Sequence, residues 1–338
     1  MQRCFRWTLA HMVWVLAVLL HVNLMAQKPE KSASASKSQK PVPAVRFASG
    51  GSALKIPLEI NNNIILLRVS VNNSKPLKFV FDTAASVSLI NSQQAANLGL
   101  KPKEQVTGNA TGGNFQASLI EGVSLGVQGA EVFNQLIASA PLPAPPGFEF
   151  DGIIGYDFIK EFVVEIDYQN KIMNLYNPRT YVYSGKGEVI PLLLIGRRTP
   201  LIRTKIVFAH RAAALAANLE VDTGADGTIV INNSFVRKHN LLAGLTQTSQ
   251  ASGVGAGGEE KRLVSRVKAV RAGKLIIRNP PVAFSLDTDE SSAGENNNGI
   301  IGGEIFRRFK VILNYYHQQM ILEPNKSFGE PYEIETDG

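Results

Sequence analysis

The 338-residue chain contains a single cysteine, Cys4, which lies close to the N-terminus. If the N-terminal segment that contains Cys4 is removed, the remaining chain has no thiol. A disulfide framework and a cysteine nucleophile are then excluded. Histidine is also scarce, and none of the five histidines has the spacing of a metal-binding pair. We therefore expect no metal and no cofactor.

Strong charge is missing from most of the chain. The formal net charge is +7, but residues 1–46 hold seven basic residues and one acidic residue, so the remainder carries only +1. A nearly neutral body gives no support for nucleic-acid binding, despite the basic isoelectric point. The glycine-rich stretches also lack the lysine of a phosphate-binding P-loop.

The N-terminal residues have the pattern of a secretory signal. Arg3 and Arg6 precede a nine-residue apolar run, 12–20, and Ala26 is a small residue suited to a cleavage site. The run is too short for a membrane span, which needs about 20 apolar residues. We expect a signal peptide at 1–26 and a secreted or periplasmic protein with no stable membrane span after processing. An uncleaved leader that anchors the protein in a membrane is the alternative.

Residues 27–46 are rich in lysine, serine, alanine, glutamine and proline and have no apolar period, which predicts a disordered linker. Beyond it, short runs rich in valine and isoleucine are broken by asparagine, glycine and proline. Helical periodicity is limited to a few brief segments. The sequence thus predicts an all-β protein.

Two segments of this β-rich region are similar to each other. FVFDTAASVSLI occupies residues 79–90 and LEVDTGADGTIVI occupies residues 219–231. Each places an aspartate, Asp82 or Asp222, at the end of an apolar run. A lone Asp-Thr is a weak signal, so the similarity needs support from other parts of the chain.

That support comes from two further repeats. Residues 151–176 align with residues 298–323 without a gap at an offset of 147, and Ile56-Pro57-Leu58 recurs as Ile190-Pro191-Leu192. The aspartates are 140 residues apart. Three landmarks in one order at nearly one spacing indicate a duplicated lobe. We place the lobes at 47–184 and 185–338.

Over about residues 53–324 the chain resembles retropepsin-like aspartic proteases, with both lobes fused in one polypeptide. The resemblance implies a two-lobed acid-protease fold, related to retropepsin and pepsin, with an internal pseudo-two-fold axis. It makes Asp82 and Asp222 the catalytic pair. Two close carboxylates share a proton and together can activate water against a peptide bond. Ala85 and Ala225, which follow the Asp-Thr-x triplets, resemble the retroviral form.

The resemblance also assigns supporting roles. Thr83 and Thr223 would each bond the backbone of the opposite loop and fix the distance between the aspartates. Gly224 keeps the second loop small, whereas Ala84 stands where the family usually has glycine. A positive φ at that position would make alanine cost roughly 1 kcal/mol.

The remaining candidate residues lie near the peptide site. Gly112-Gly113 and Gly257-Gly258 occupy matching positions in the two lobes, which favours two β-hairpin flaps over the cleft, although an ordinary hairpin loop would fit each pair alone. Asp226 follows the second dyad loop, and its counterpart in the first lobe is Ser86. By resemblance these two line the peptide site; otherwise they are solvent-exposed turn residues.

The sequence thus predicts a secreted aspartic endopeptidase that acts on a peptide or protein substrate and works as a monomer, since both halves of the site lie in one chain. The alternative is a non-catalytic protein of the same fold that binds a peptide or a cell-wall polymer.

Overall fold

The computed structural model describes residues 12–14, 18–19, 44–110, 113–144, 147–196, 198–255, 258–287 and 296–332. Strands dominate these residues, and helices are few and short. The predicted all-β class is confirmed, and the strands form two sheets.

Most strands of the first lobe belong to a ten-stranded sheet, and β4, β13 and β14 belong to the larger sheet that continues into the second lobe. Its strands are β3 Ala44–Phe47, β4 Ser52–Pro57, β5 Glu59–Asn61, β6 Ile64–Val71, β7 Leu77–Phe81, β8 Leu89–Asn91, β9 Glu104–Ala110, β10 Gly113–Val127, β11 Ala130–Ala140, β12 Gly152–Ile154, β13 Val163–Asp167 and β14 Ile172–Tyr176, preceded by β1 Met12–Trp14 and β2 Val18–Leu19. Its helices are α1 Ser92–Asn97 and α2 Tyr156–Ile159.

The second lobe repeats this order. Its strands are β15 Glu188–Ile195, β16 Thr199–Val207, β17 Leu215–Val221, β18 Ile229–Ile231, β19 Ser249–Gly255, β20 Gly258–Arg266, β21 Ala269–Ala272, β22 Leu275–Arg278, β23 Pro281–Ser285, β24 Gly299–Ile301, β25 Phe309–Asn314 and β26 Gln319–Pro324. Its helices are α3 Asn233–Lys238 and α4 Gly303–Phe306, followed by a 3₁₀ turn at Lys326–Gly329.

The same strand order appears in both lobes. In lobe 1 the neighbours run β9-β10-β11-β8-β12-β7-β6, and in lobe 2 they run β19-β20-β23-β18-β24-β17-β16. In each lobe the strand that ends at an aspartate, β7 or β17, lies parallel to the strand of the Gly-Ile-Ile segment, β12 or β24. The duplication read from the sequence is therefore a duplication of architecture.

An antiparallel run of strands, continuous with the sheet of lobe 2 through β15 and β16, joins the lobes. Its order is β4-β14-β13-β25-β26-β15, and the β13–β25 ladder is where the two halves meet, with Glu165 opposite Ile312. Buried side chains from both lobes form one hydrophobic cluster, which includes Phe81 and Phe158 from lobe 1 and Val221 and Phe306 from lobe 2. This shared core fixes the two aspartate-bearing strands relative to each other, because close-packed interiors resist sliding.

Some boundaries differ from the sequence-based ones. The sequence after each Gly-Ile-Ile segment predicts a brief helix, over 156–162 and over 304–309. The structure has only the single turns α2 and α4 there, because the chain turns back within a few residues to form β13 and β25. Strand β3 starts at Ala44, inside the range expected to be linker, and pairs with β11.

Two short leader strands pair with the hairpins at the ends of the sheets. Strand β1 runs parallel to β19, with Met12 opposite Ser252, and β2 runs antiparallel to β9, with Val18 opposite Ala110. Within the described ranges no helix combines the length and apolar character needed to cross a membrane.

Candidate active site

Each aspartate is positioned by the strand pair that carries it. The amide of Asp82 donates to the carbonyl oxygen of Ile154 (3.0 Å), and the amide of Asp222 donates to that of Ile301 (3.1 Å). The parallel ladder thus continues one residue past the end of β7 and of β17. Because both ladders stop at the same point of the repeat, the two aspartates occupy equivalent positions in the two lobes.

The carboxylates of this pair are fully buried, with 0% exposure for both residues. Asp82 Oδ1 accepts hydrogen bonds from the amides of Ala84 (2.8 Å) and Ala85 (3.1 Å), and Asp222 Oδ1 accepts one from the amide of Gly224 (2.8 Å). Oδ2 of each aspartate has no hydrogen-bond partner among the described residues. One oxygen of each carboxylate is therefore held by its own loop, and the other remains available to a reacting group.

The two threonines cross between the loops. Thr83 Oγ1 donates to the carbonyl oxygen of Val221 (2.5 Å) and accepts from the amide of Thr223 (3.1 Å). Thr223 Oγ1 donates to the carbonyl oxygen of Phe81 (2.7 Å) and accepts from the amide of Thr83 (3.2 Å). Four reciprocal bonds at about 1 kcal/mol each tie the loops together, and the geometry they impose fixes the separation of the aspartates.

Gly224 lies against the carboxylate of the opposite lobe. A Cβ atom built on Gly224 would lie 2.6 Å from Cγ and 2.7 Å from Oδ2 of Asp82. These distances are too short for a real side chain, so glycine is required by space. Asp82 of lobe 1 therefore lies directly on the loop that carries Asp222 of lobe 2.

Ala84 shows that the opposite loop is not built identically. It is fully buried, and its methyl group packs with Ala225, Val230, Ala283 and Ile300 of lobe 2. Its φ is not positive, so the strain considered from the sequence does not arise. The methyl group adds an apolar contact between the lobes at this position.

Burial governs the electrostatics of the pair. Burial, followed by the charge of Asp222, raises the pKa of Asp82 well above its usual range, against the hydrogen bonds from Ala84 and Ala85. Burial also raises the pKa of Asp222. Since the carboxylates cannot both ionise easily so close together, the pair retains one proton at a pH where isolated aspartates have lost theirs.

Each lobe contains a β-hairpin at the position where the sequence predicts a flap. Strands β9 and β10 form the first, and β19 and β20 form the second. Gly113 and Gly258 start the returning strands with φ of 138° and 137°, values that favour glycine. Gly112 and Gly257, which were also predicted flap residues, lie outside the described residues.

Ser86 and Asp226, which by resemblance would line the peptide site, follow the two aspartate loops. Ser86 is buried, and Asp226 is half-buried. The carbonyl oxygen of Asp226 accepts a hydrogen bond from Asn63 Nδ2 of lobe 1 (2.9 Å). Asp226 thus lies at the junction of the lobes and is not a fully exposed turn residue.

Sequence reasoning missed a set of buried polar residues in lobe 2. Glu220, Glu260, Arg262 and Asn297 are all buried. Glu220 could have been found, since it stands where the aligned first copy has Val80, two residues before the aspartate. Burial, with the nearby charge of Asp222, raises the pKa of Glu220 to about 8.

Other chemistries have little basis in the structure. In the part of the chain that the structure describes, no group of three or more histidine, cysteine, aspartate and glutamate side chains is arranged to hold a metal ion. A Gly-x-Ser-x-Gly sequence does occur at residues 122–126. It lies inside β10, however, and not at the strand-to-helix turn that presents a nucleophilic serine.

Comparison with known proteins agrees with the duplicated architecture of the two lobes. No curated protein matches the chain. A family model described as aspartyl protease matches twice, over residues 67–158 and 215–305. The two matches cover more than half of the chain, and each spans the aspartate loop of one lobe through the helix that follows its Gly-Ile-Ile strand. The chain therefore belongs to the aspartyl protease family, as a two-lobed, retropepsin-like member with one copy of the domain in each lobe.

Proposed function

We propose that the protein is an aspartic endopeptidase in which Asp82 and Asp222 form the catalytic dyad. The observation that carries the proposal is the contact between the loops. Gly224 leaves no room for a Cβ beside the Asp82 carboxylate, and the threonines bond across the pseudo-two-fold axis. Both carboxylates thus belong to one buried site, and each has an unpartnered Oδ2 among the described residues.

The chemistry follows from the single shared proton. The ionised carboxylate of the pair removes a proton from a water molecule, which attacks the carbonyl carbon of the scissile peptide bond. The protonated carboxyl group donates to the carbonyl oxygen, and a tetrahedral intermediate forms. One carboxyl group of the pair then donates its proton to the leaving nitrogen, while the other carboxylate takes a proton from a hydroxyl group of the intermediate. The C–N bond breaks, the new carboxyl group forms, and the pair again holds one proton. Because the titration belongs to the pair, the roles of general base and general acid are not assigned to Asp82 or Asp222 individually.

The hairpins provide the surface for an extended peptide. Strands β9 and β19 can accept another strand by backbone hydrogen bonding, which is the way that proteins bind peptides along sheet edges. The chain's own Val18–Leu19 and Met12–Trp14 pair with these two edges in this structure. A peptide substrate would use the same backbone groups, reaching from one hairpin to the other across the dyad.

The proposal is tested by replacing each aspartate in the full chain. Asp82→Asn and Asp222→Asn should each lower cleavage of a mixed peptide library by at least about 100-fold, because each removes one partner of the acid–base pair. Asp167→Asn is the matched control, since Asp167 lies at the β13–β14 turn and, among the described residues, its side chain accepts hydrogen bonds from the nearby Asn170. It should cleave as the unaltered protein does.

The same assay distinguishes peptide cleavage from the rival binding function. A protein that binds a peptide or a cell-wall polymer without cleaving it would show ligand binding and no products at any pH between 3 and 8. An aspartate variant that kept near-normal turnover would exclude the shared-proton mechanism. A single active species at the mass of one chain would support action as a monomer, because each chain carries both aspartates.

We also propose that the protein is exported, with its signal peptide removed after Ala26. The apolar run and the small residue before Gln27 support this. N-terminal sequencing of native material should then begin near Gln27, in the secreted or periplasmic fraction. Material that still begins at Met1 in a membrane fraction would show that the leader anchors the protein instead.

A further inference from the structure

The strands that join the lobes have a second packed face. Val164 of β13 and Leu322 of β26 belong to the main hydrophobic cluster, which also contains the aspartate-bearing strands. Their neighbours Val163 and Ile321 belong to a separate, smaller cluster. Because successive side chains of a strand point to opposite faces, the smaller cluster lies on the other side of these strands from the main core. Whatever lies on it is separate from the dyad.

A cavity of about 520 Å³ borders this smaller cluster, between the joining strands and the loop 177–187 that connects the lobes. We call it the tyrosine cavity. Its size is within the range of about 300–1,000 Å³ that is usual for small-molecule sites. The start of β4 and small residues of the loop form part of its lining. The side chains that give it chemical character are three tyrosines and two carboxylates: Tyr176, Tyr181, Tyr183, Glu165 and Glu323.

The three tyrosine rings form an aromatic wall. All three pack against the smaller cluster, and the rings of Tyr176 and Tyr181 lie with their centroids 5.0 Å apart at an angle of 42°. Tyr183 is held at its hydroxyl group, which donates to Glu323 Oε1 (2.6 Å) and accepts from the amide of Gly187 (2.5 Å). The faces of such rings carry a partial negative charge that attracts cations.

The two carboxylates are not equally compensated. Glu323 Oε2 lies 3.8 Å from Nζ of Lys310. Glu165 accepts a hydrogen bond from Asn174 Nδ2 (2.7 Å) but has no ion-pair partner among the residues that the structure describes. Neither lysine nor arginine contributes to the described lining of the cavity. One negative charge of the tyrosine cavity is therefore left without a cation.

The electrostatics of the tyrosines agree with this placement of charge. Burial, followed by the charge of Glu165, raises the pKa of both Tyr176 and Tyr181. The charge of Glu323 also contributes at Tyr181, so both carboxylates act on one phenol group. The hydroxyl groups remain neutral at physiological pH, and the negative potential extends over the rings.

These features select one class of ligand. An anion would be repelled by the carboxylates, and a neutral apolar molecule would leave Glu165 uncompensated. A hard inorganic cation prefers six or more oxygen ligands, and in the described part of the chain no group of three or more acidic or histidine side chains is arranged to hold a metal. An organic cation matches both the carboxylate and the aromatic rings.

We propose that the tyrosine cavity binds an organic cation, whose ammonium or guanidinium group pairs with Glu165 while its stem lies against the tyrosine rings. A lysine or arginine side chain of a peptide and a small free amine both present this chemistry. The proposal concerns a second site and does not depend on the proposed peptidase activity.

The first test is a titration of the full chain that carries Asp82→Asn, so that cleavage cannot interfere. The protein is labelled with carbon-13 in its tyrosine rings and titrated with butylamine, butylguanidine and 1-butanol. The signals of Tyr176, Tyr181 and Tyr183, assigned from phenylalanine variants, should move. Each cation should bind at least about 10-fold more tightly than butanol and more weakly as NaCl is raised. Equal affinity for butanol, or no binding of either cation, would overturn the proposal.

Variants in the same chain locate the bound charge. Glu165→Gln should weaken binding of butylamine at least about 10-fold. Lys310→Met removes the cation beside Glu323 and should strengthen binding a few-fold, which a purely structural role of these residues does not predict. Glu59→Gln is the matched control, since it removes the same charge from an ion pair with Lys78 elsewhere in lobe 1. It should leave the affinity unchanged.

The aromatic contribution has its own variant. Tyr181→Leu keeps both carboxylates and should weaken binding of both cations several-fold. If this variant does not fold, the conservative Glu165→Gln carries the test alone. Unchanged affinity in a folded Glu165→Gln protein contradicts the proposal.

A final comparison separates the two sources of the cation. The probes are blocked pentapeptides with a central lysine, arginine or norleucine between glycines. Tighter binding of the lysine or arginine peptide than of butylamine assigns the site to a peptide side chain, and weaker binding assigns it to a small amine. In either case Glu165→Gln must weaken the binding of the cation. Peptide and amine binding that both ignore this substitution would overturn the proposal.

Discussion

The two lobes share one backbone plan and differ most where they face each other. The strand order, the aspartate loops and the crossed threonine bonds repeat in both. The side chains beside the aspartates do not: Val80 of lobe 1 belongs to an apolar cluster, whereas the equivalent residue of lobe 2 is the buried Glu220. Positions that hold the fold together have stayed alike, and positions that border the site have diverged.

The dyad loops repeat this contrast on a smaller scale. Ala84 packs its methyl group against lobe 2, while the equivalent Gly224 has no room for one beside Asp82. The site is thus pseudo-symmetric in its backbone and asymmetric in its surroundings. Exchanging equivalent residues between the lobes separates the contribution of the shared backbone from that of the different surrounding side chains.

Among exchanges of equivalent residues between the lobes, the largest effect is expected for Gly224→Ala. Its Cβ would lie 2.6 Å from Asp82 Cγ, so the carboxylate or the loop must move. Overpacking of this kind costs about 1–3 kcal/mol of stability, and misplacement of a catalytic group by about 1 Å can cost 100-fold in rate. We expect kcat/KM to fall by about that factor, measured with a peptide that the unaltered protein cleaves.

The mirror change, Ala84→Gly, sharpens this comparison. It removes a buried methyl group, which costs about 1 kcal/mol, but creates no clash with a carboxylate. Turnover should stay within the same order of magnitude. Equal losses of activity in both variants would show that the loops are equivalent and that the asymmetry has no catalytic consequence.

The next largest effect is expected on the pH dependence of the free energy of unfolding, and it comes from Glu220 in lobe 2. The pKa of Glu220 rises from 4.5 to about 8 on folding. Because the folded protein keeps a proton that the unfolded chain loses above pH 4.5, Glu220 destabilises the fold progressively as pH rises from 4.5 to 8. Glu220→Gln should remove that dependence, about 1.4 kcal/mol per pH unit. Urea unfolding between pH 5 and 8 measures the difference.

Lobe 1 contains a buried carboxyl group, Asp157, that can be compared with Glu220 although it is not at the equivalent position. Burial raises the pKa of Asp157 from 3.8 to about 6, against hydrogen bonds from Ser88. Asp157→Asn should therefore change the pH dependence of the free energy of unfolding only between pH 3.8 and about 6. Above about pH 6 the Asp157→Asn and Glu220→Gln variants should diverge. A Glu220→Gln profile parallel to that of the unaltered protein over the whole range would contradict the burial of an ionisable group at this position.

Much of this arrangement can be predicted from the sequence. The aspartates, threonines and glycines lie in repeated segments, because the same local geometry is needed twice. The hydrogen-bond partner of Glu220 could not be assigned, since Asn297 is 77 residues away in the chain and only the fold brings the two side chains together. The helix lengths were also missed, because tertiary packing of Phe162 and Phe309 sets where the chain turns.

The smallest expected effect is a shift of the pH profile. Ala85 and Ala225 are buried beside the dyad and cannot donate a side-chain hydrogen bond. A serine hydroxyl there would stabilise the ionised carboxylate and lower the pKa of the pair. The unaltered protein should be most active in mildly acidic to near-neutral buffer, and replacing both alanines by serine should move the profile toward acid by about one pH unit. An optimum below about pH 3 in the unaltered protein would contradict this use of the hydrogen bond.

The central claim is that one aspartate from each lobe joins a single pair that shares a proton. The most direct measurement is carbon-13 NMR of the carboxyl carbons in protein labelled at aspartate, with Asp82 and Asp222 assigned from their asparagine variants. We predict two widely separated titration steps that belong to the pair, and a lower pKa of Asp82 when Asp222 is replaced, because the charge of Asp222 is one cause of its elevation. Two independent titrations, each unchanged by replacing the other aspartate, would contradict the claim.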